Sequence, residues 1–148
     1  MTQARVIHLF VKPHKGAPMQ PRERLRLQAG KGIQGDAAFG RQRRQVLLVS
    51  AQVLKRFSLK PADLRENITL QGLDVDSLEP GTHLKIGGAL LEISGPCRPC
   101  GQMERLQPGL QGQIAGKRGM LARVVKTGTI CIGDSVIIER LPREQIAS

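Results

Sequence analysis

The apolar positions of this chain fall in short runs, most of them closed by glycine or proline. The first reads from Met1 to Val11, with Val6-Ile7-His8-Leu9-Phe10-Val11 at its centre, and Lys12-Pro13 stops it, which predicts an opening strand. Arg22-Glu23-Arg24-Leu25-Arg26-Leu27-Gln28 alternates charge with leucine, the period of a half-buried strand with one basic face. Gln45-Val46-Leu47-Leu48-Val49 does not alternate, so it predicts a strand covered on both faces. Ser50 is then a candidate helix cap, with Val53, Leu54 and Phe57 on one face of what should be the longest helix.

Further on, the β-branched content of Arg65-Glu66-Asn67-Ile68-Thr69-Leu70 predicts an extended segment. His83 to Ile86 and Ala89 to Ile93, separated by Gly87-Gly88, predict a hairpin with a two-residue loop. A short helix is expected over Gly101 to Gln107 and a helical turn within Pro108 to Gly116. Met120 to Val125, Thr129 to Ile132 and Ser135 to Ile138 then predict three closing strands, broken at Thr127-Gly128 and Gly133-Asp134.

Many short strands with glycine turns predict a mostly β fold, a twisted, partly closed β-barrel with one or two short inserted helices. At 148 residues, with no internal repeat or linker, the chain reads as a single domain spanning 1–148, with its core at about 6–138. The opening run lacks the cleavage pattern of a signal peptide. No apolar run approaches the roughly 20 residues of a membrane helix. Three cysteines, two of them close together, do not suggest a secreted disulfide framework, so a cytoplasmic location is expected.

Charge adds one constraint. A net charge of +11 points to an anionic partner: nucleic acid, a phosphorylated small molecule or a membrane surface. Single-stranded nucleic acid is disfavoured, because there is no Trp or Tyr and only Phe10, Phe39 and Phe57 are available for stacking. The cluster Arg41-Gln42-Arg43-Arg44, beside a glycine-rich turn, suits phosphate, although a solvated basic loop would have the same composition. Gly30-Lys31-Gly32-Ile33-Gln34-Gly35-Asp36 has the spacing of a dinucleotide fingerprint but lacks the helix and the later acidic residue, so it reads as a turn.

The densest chemistry lies in Gly95-Pro96-Cys97-Arg98-Pro99-Cys100-Gly101, where a strand meets a short helix. Cys100 at the helix start, with Arg98 and Arg105 nearby, is the candidate reactive sulfur. A redox pair, a zinc site completed by Cys131, His83, His14 or His8, and two inert thiols are the competing readings. The pair has no βαβ setting, zinc has no second paired motif, and Cys131 reads as an apolar strand residue in the core. The histidines have no metal-type spacing.

Taken in order, Gly32-Ile33-Gln34-Gly35-Asp36, Arg44-Gln45-Val46, Arg65-Glu66-Asn67-Ile68-Thr69, Gly72-Leu73, Pro96-Cys97-Arg98-Pro99-Cys100, Arg118-Gly119, Ala122-Arg123-Val124 and Gly128 with Gly133-Asp134 resemble the MOSC domain, named for the C-terminal domain of molybdenum cofactor sulfurase. The resemblance runs from about Val6 to Ile138 and is similar to the small stand-alone bacterial members. It implies a β-barrel-like fold and a cysteine, matched by Cys100, that ligates molybdenum or carries a persulfide. It implies that Arg65 and Asn67, with Arg44, hold a molybdenum cofactor (molybdopterin), and that Asp36 supports the glycine-rich loop or the site. Relatives that reduce N-hydroxylated compounds suggest that activity, which here would need a separate sulfur or electron donor protein. One departure stands out: Ala38 occupies a position where many members have histidine. The alternative from another class is a basic module binding RNA or an acidic protein, with Arg41, Arg43 and Arg44 as contacts.

Overall fold

The structure, a computed structural model, describes residues 3–139. The expected strand start at Met1 and the outer limits of the domain lie outside the described residues. In chain order the strands are β1 (Arg5–Val11), β2 (Gln20–Arg22), β3 (Arg24–Gln28), β4 (Gly32–Ile33), β5 (Val46–Ser50), β6 (Ile68–Gln71), β7 (His83–Ile86), β8 (Ala89–Pro96), β9 (Met120–Lys126), β10 (Gly128–Cys131) and β11 (Val136–Glu139). Three short helices join them: α1 (Ala51–Arg56), α2 (Gln102–Leu106) and α3 (Leu110–Gln113), with a 3-10 turn at Val75–Ser77. The fold is mostly β, as the pattern predicts, and α1 is the longest helix among the described residues. None of these helices is long and apolar enough to cross a membrane.

Eight strands form one sheet in the order β11-β7-β8-β9-β5-β6-β1-β2, and β10-β3-β4 form a second. The eight-stranded sheet curls until its β11 side meets the start of β1. There Val6 N–H donates to Asp134 O (2.9 Å), Gly133 N–H to Val6 O (2.8 Å) and Val136 N–H to Ala4 O (2.9 Å). Among the described residues these bonds amount to one isolated bridge, Arg5 with Ser135, rather than a strand ladder, so the barrel is partly formed and not closed.

β5 explains the layering. Its side chains alternate, yet every one is buried, because each face meets a different core. Val46 and Leu48 point into the barrel with Leu9, Leu27, Ile68, Leu91 and Ile130. Leu47 and Val49 point outward under the helices, against Val53, Leu54, Leu64, Met103, Leu110 and Ile114. The parallel pairing of β5 with β6 was not anticipated from the sequence. It requires a crossover, supplied by α1 and the loop after it.

Several local expectations are corrected. The Ser50 side chain makes no cap hydrogen bond to α1. Its hydroxyl donates to Leu73 O (2.8 Å) and accepts from Val75 N–H (2.7 Å), satisfying the buried turn after β6 instead. The segment from Arg65 is not extended until Ile68, because Arg65 itself is left-handed (φ 60°). Cys131 is half-buried rather than core, since on β10 its neighbour Ile130 takes the inward-facing position and the alternation turns Cys131 to the other face. The hairpin with its Gly87-Gly88 loop is as expected. It packs so closely on β10 that a side chain at Gly128 would collide with the Gly88 carbonyl.

Two features of the β9 start lead to tests. Gly119 has φ +107°, and a Cβ there would lie 2.6 Å from Leu48 O in the neighbouring strand. Gly119→Ala should therefore lower unfolding free energy by about 2–4 kcal/mol in urea titration, since both backbone strain and a backbone clash oppose it. Asp76 accepts from Gly119 N–H (2.9 Å), and burial raises its pKa above the ordinary 3.8, with the Gly119 hydrogen bond opposing. Folding thus favours its protonated form, so the stability that its charge subtracts at neutral pH is regained as pH falls through the raised value. Asp76→Asn should stabilise the protein at neutral pH relative to wild type, and the advantage should shrink in unfolding curves taken progressively towards pH 3.8.

Candidate functional site

Chain segments distant in sequence converge at the N-terminal end of β5. They enclose a cavity of about 400 Å³. Its polar wall carries Lys12, Arg41, Arg44 and Arg65, and its apolar wall includes Met19, Val46, Leu47 and Leu121. Asp36, Asn67, Gln45 and Gln102 complete the principal lining. Of the five residues expected to form a site, the fold brings Asp36, Arg44, Arg65 and Asn67 around this one cavity.

Asn67 is the fixed point of the wall. Its backbone N–H donates to Leu47 O (3.0 Å), and its carbonyl accepts from Phe10 N–H (2.8 Å). Its Oδ1 accepts from Leu47 N–H (3.0 Å), while Nδ2 donates to Phe10 O and to Asp36 Oδ1 (both 3.2 Å). The amide therefore ties β5 to β1 just before β6 begins. Asp36 is equally committed: Oδ1 also accepts from Lys12 N–H (2.8 Å), and Oδ2 from Ala38 N–H (3.0 Å). The glycine-rich segment is thus a turn anchored by its aspartate, with no helix after it. Ala38 adds no polar side-chain group to the wall.

The cationic side chains are differently placed. Asp36 is the one carboxylate in the lining, and its oxygens already serve neutral donors. The ion pair found among the described residues, Arg123 with Glu92, lies outside this lining. Four cationic residues therefore line one small volume, and among the described residues no carboxylate is salt-bridged to them. Such an arrangement costs self-repulsion in the empty protein and favours a multiply charged anion.

Sequence reasoning singled out Arg41 and Arg44 but not the residues that position them. Gln45 is buried, donates through Nε2 to Arg41 O (2.6 Å) and accepts at Oε1 from Val124 N–H (2.8 Å). It pins the arginine loop to β9. A polar residue opening a fully apolar run was the available signal. Lys12 and Gln102 gave none, because their membership depends on where β1 ends and where α2 lies.

Cys97 and Cys100 diverge. Cys97 N–H donates to Gly119 O (2.9 Å), and the half-buried side chain packs on the cluster beneath the helices. Cys100 is exposed, and its carbonyl accepts from Met103 N–H (2.9 Å) as α2 begins. It is not in the cavity lining, but Gln102, two residues on, is. With five residues, α2 is barely more than one turn, so the expected dipole contribution at Cys100 is small. Glu104 in the same helix accepts from Gly109 N–H (2.9 Å) and Gln111 N–H (2.8 Å), which lowers its pKa and ties α2 to α3. No group of three or more His, Cys, Asp or Glu side chains suited to holding a metal occurs among the described residues. A metal here would take few ligands from the protein.

The model of the MOSC domain family matches residues 35–137. The chain belongs to this family. The family is associated with the molybdenum cofactor, which ties this MOSC chain to cofactor-related chemistry in general terms. No curated protein matches it in sequence. Among solved structures, it resembles YUAD protein from Bacillus subtilis (TM-score 0.79, 24% identity, covering 91% of this chain and 94% of that one). It also resembles YiiM from Geobacillus stearothermophilus (0.72, 20%, 93% and 75%) and YiiM from Escherichia coli (0.71, 19%, 95% and 71%). At these identities the likeness supports the shared fold.

The different settings of the two cysteines give a direct test. In the native protein Cys100 should react with iodoacetamide several-fold faster than Cys97, as read by peptide mass spectrometry, because Cys100 is exposed and Cys97 is half-buried. Equal rates would remove the distinction between them.

Proposed function

We propose that this MOSC protein binds the molybdenum cofactor in the cavity at the N-terminal end of β5. The observation that carries the reading is one cavity lined by four cationic residues with no salt-bridge partner among the described residues, adjoining the exposed cysteine segment through Gln102. The residues fit the group on chemical grounds: molybdopterin is anionic with a phosphate tail, and a thiolate is a soft donor suited to a transition metal. Arg44 and Arg65, joined by Lys12 and Arg41, hold the phosphate. Asn67 and Asp36 act through the wall they fix, since their polar groups are engaged by the protein itself.

Cys100 supplies the protein's sulfur, either as a ligand to molybdenum or as the carrier of a persulfide. When bound, the cofactor supplies two-electron redox chemistry at its metal. In the reductive reading the protein acts on N-hydroxylated compounds and receives electrons from a separate donor protein. In the carrier reading the Cys100 thiolate attacks the outer sulfur of a persulfide on a separate donor protein, taking that sulfur and releasing the donor's thiolate. Both readings place the sulfur-bearing segment beside the anion site, and both suit a cytoplasmic protein.

Molybdenum and pterin content, measured on protein produced in cells with cofactor synthesis intact, tests the reading. Wild type should carry both near equimolar amounts, and Arg44→Ala with Arg65→Ala should lose both. Cys100→Ser should lose molybdenum if the sulfur is a ligand, and Cys97→Ser should leave the content unchanged. Absence of metal and pterin from wild type, under conditions where a known binder loads, would sink the proposal.

A further inference from the structure

Glu66 lies between two residues of the cavity wall, yet it faces away from solvent altogether: its exposure is 0%. Its Oε2 accepts from Ala62 N–H (3.0 Å) and from Thr69 Oγ (3.1 Å), while Oε1 is buried with no hydrogen-bond partner. The ion pair found among the described residues does not involve it. Burying a carboxylate on neutral donors alone is expensive, so this side chain is a poor choice for stability.

What it holds is a strained loop. Ala62 (φ 76°) and Arg65 (φ 60°) are both left-handed without being glycine, and each such residue costs on the order of 1 kcal/mol or more. Glu66 grips the first through its N–H, and Arg65 N–H closes the turn onto Ala62 O (2.8 Å). Leu64, fully buried under the helices, pins the middle. Between them these contacts fix the backbone from which Arg65 projects. Arg65 lines the cationic cavity and also a neighbouring one of about 430 Å³ walled by Pro18, Pro61 and Asp63, so it stands where the two meet.

We propose that Glu66 is a positioning residue for anion recognition: its buried carboxylate holds the Ala62–Arg65 turn in its left-handed form and thereby aims Arg65 at the bound phosphate. This rests on the reading of the cavity as an anion site. Glu66 makes no contact with the ligand and acts only through Arg65. The accepting oxygen is what matters for the grip, so glutamine should replace glutamate where alanine cannot.

The test is a double-mutant cycle on the full chain, with inorganic pyrophosphate as probe at fixed ionic strength and binding read by calorimetry. Arg65→Ala and Glu66→Ala should each weaken binding roughly tenfold, the double variant should be no weaker than either, and Glu66→Gln should stay within about threefold of wild type. If Glu66→Ala does not fold, Thr69→Val removes Glu66's other donor and should weaken binding in the same non-additive way. A loss in Arg65→Ala with none in Glu66→Ala or Thr69→Val, or losses that add, would overturn the positioning role while leaving the anion site intact. No loss in Arg65→Ala would overturn the anion site and the positioning role together.

Discussion

The side chain and backbone of Asn67 hold together the part of the molecule on which the candidate site depends. Placed just before β6, which runs between β5 and β1, its amide extends that link through Leu47 and Phe10 and reaches Asp36 in the turn below. Each of its polar groups is used, so a buried amide that would otherwise be costly becomes a source of geometric precision. Aspartate could not make the Nδ2 donations, and alanine would leave Leu47 N–H and Phe10 O facing a void. The cavity wall inherits its shape from this junction.

Around that junction the protein separates two tasks. The apolar residues of β5 serve two cores at once, which leaves the strand with no freedom to shift register. The loops that enter and leave its N-terminal end are then free to carry charge, because the scaffold beneath them is fully determined. Gln45 and Asp36 spend their hydrogen bonds within the protein, on the Arg41, Lys12, Ala38 and Val124 backbone and the Asn67 amide, while Lys12, Arg41, Arg44 and Arg65 line the cavity.

Much of this was legible in the residues. Of the strand expected over Arg22 to Gln28, Arg24 to Gln28 alternates as read while Arg22 ends β2 in the other sheet; the unbroken apolar run before Ser50 and the Gly87-Gly88 hairpin appear as expected, because local pattern and tertiary burial agree there. The grouping of Asp36, Arg44, Arg65 and Asn67 was expected from the ordered motifs rather than from any physical property of one segment. Ser50 was misread, since its hydroxyl had a better partner in a turn more than twenty residues away. Arg65 was misread as extended because propensity does not record a left-handed turn held by a buried glutamate.

By itself the sequence determined the mostly β class, the positions of the turns, the basic character and the family. These depend on properties carried by neighbouring residues: period, glycine and proline punctuation, charge and motif order. Only the tertiary structure decided that β5 pairs in parallel with β6, that Asn67 serves as a junction rather than a free amide, and that Lys12 and Gln102 share a cavity with three arginines. It also separated the two cysteines, packing one under the helices and exposing the other. Those outcomes depend on contacts between distant segments, whose partners and burial are fixed only when the sheet has curled and the loops have met.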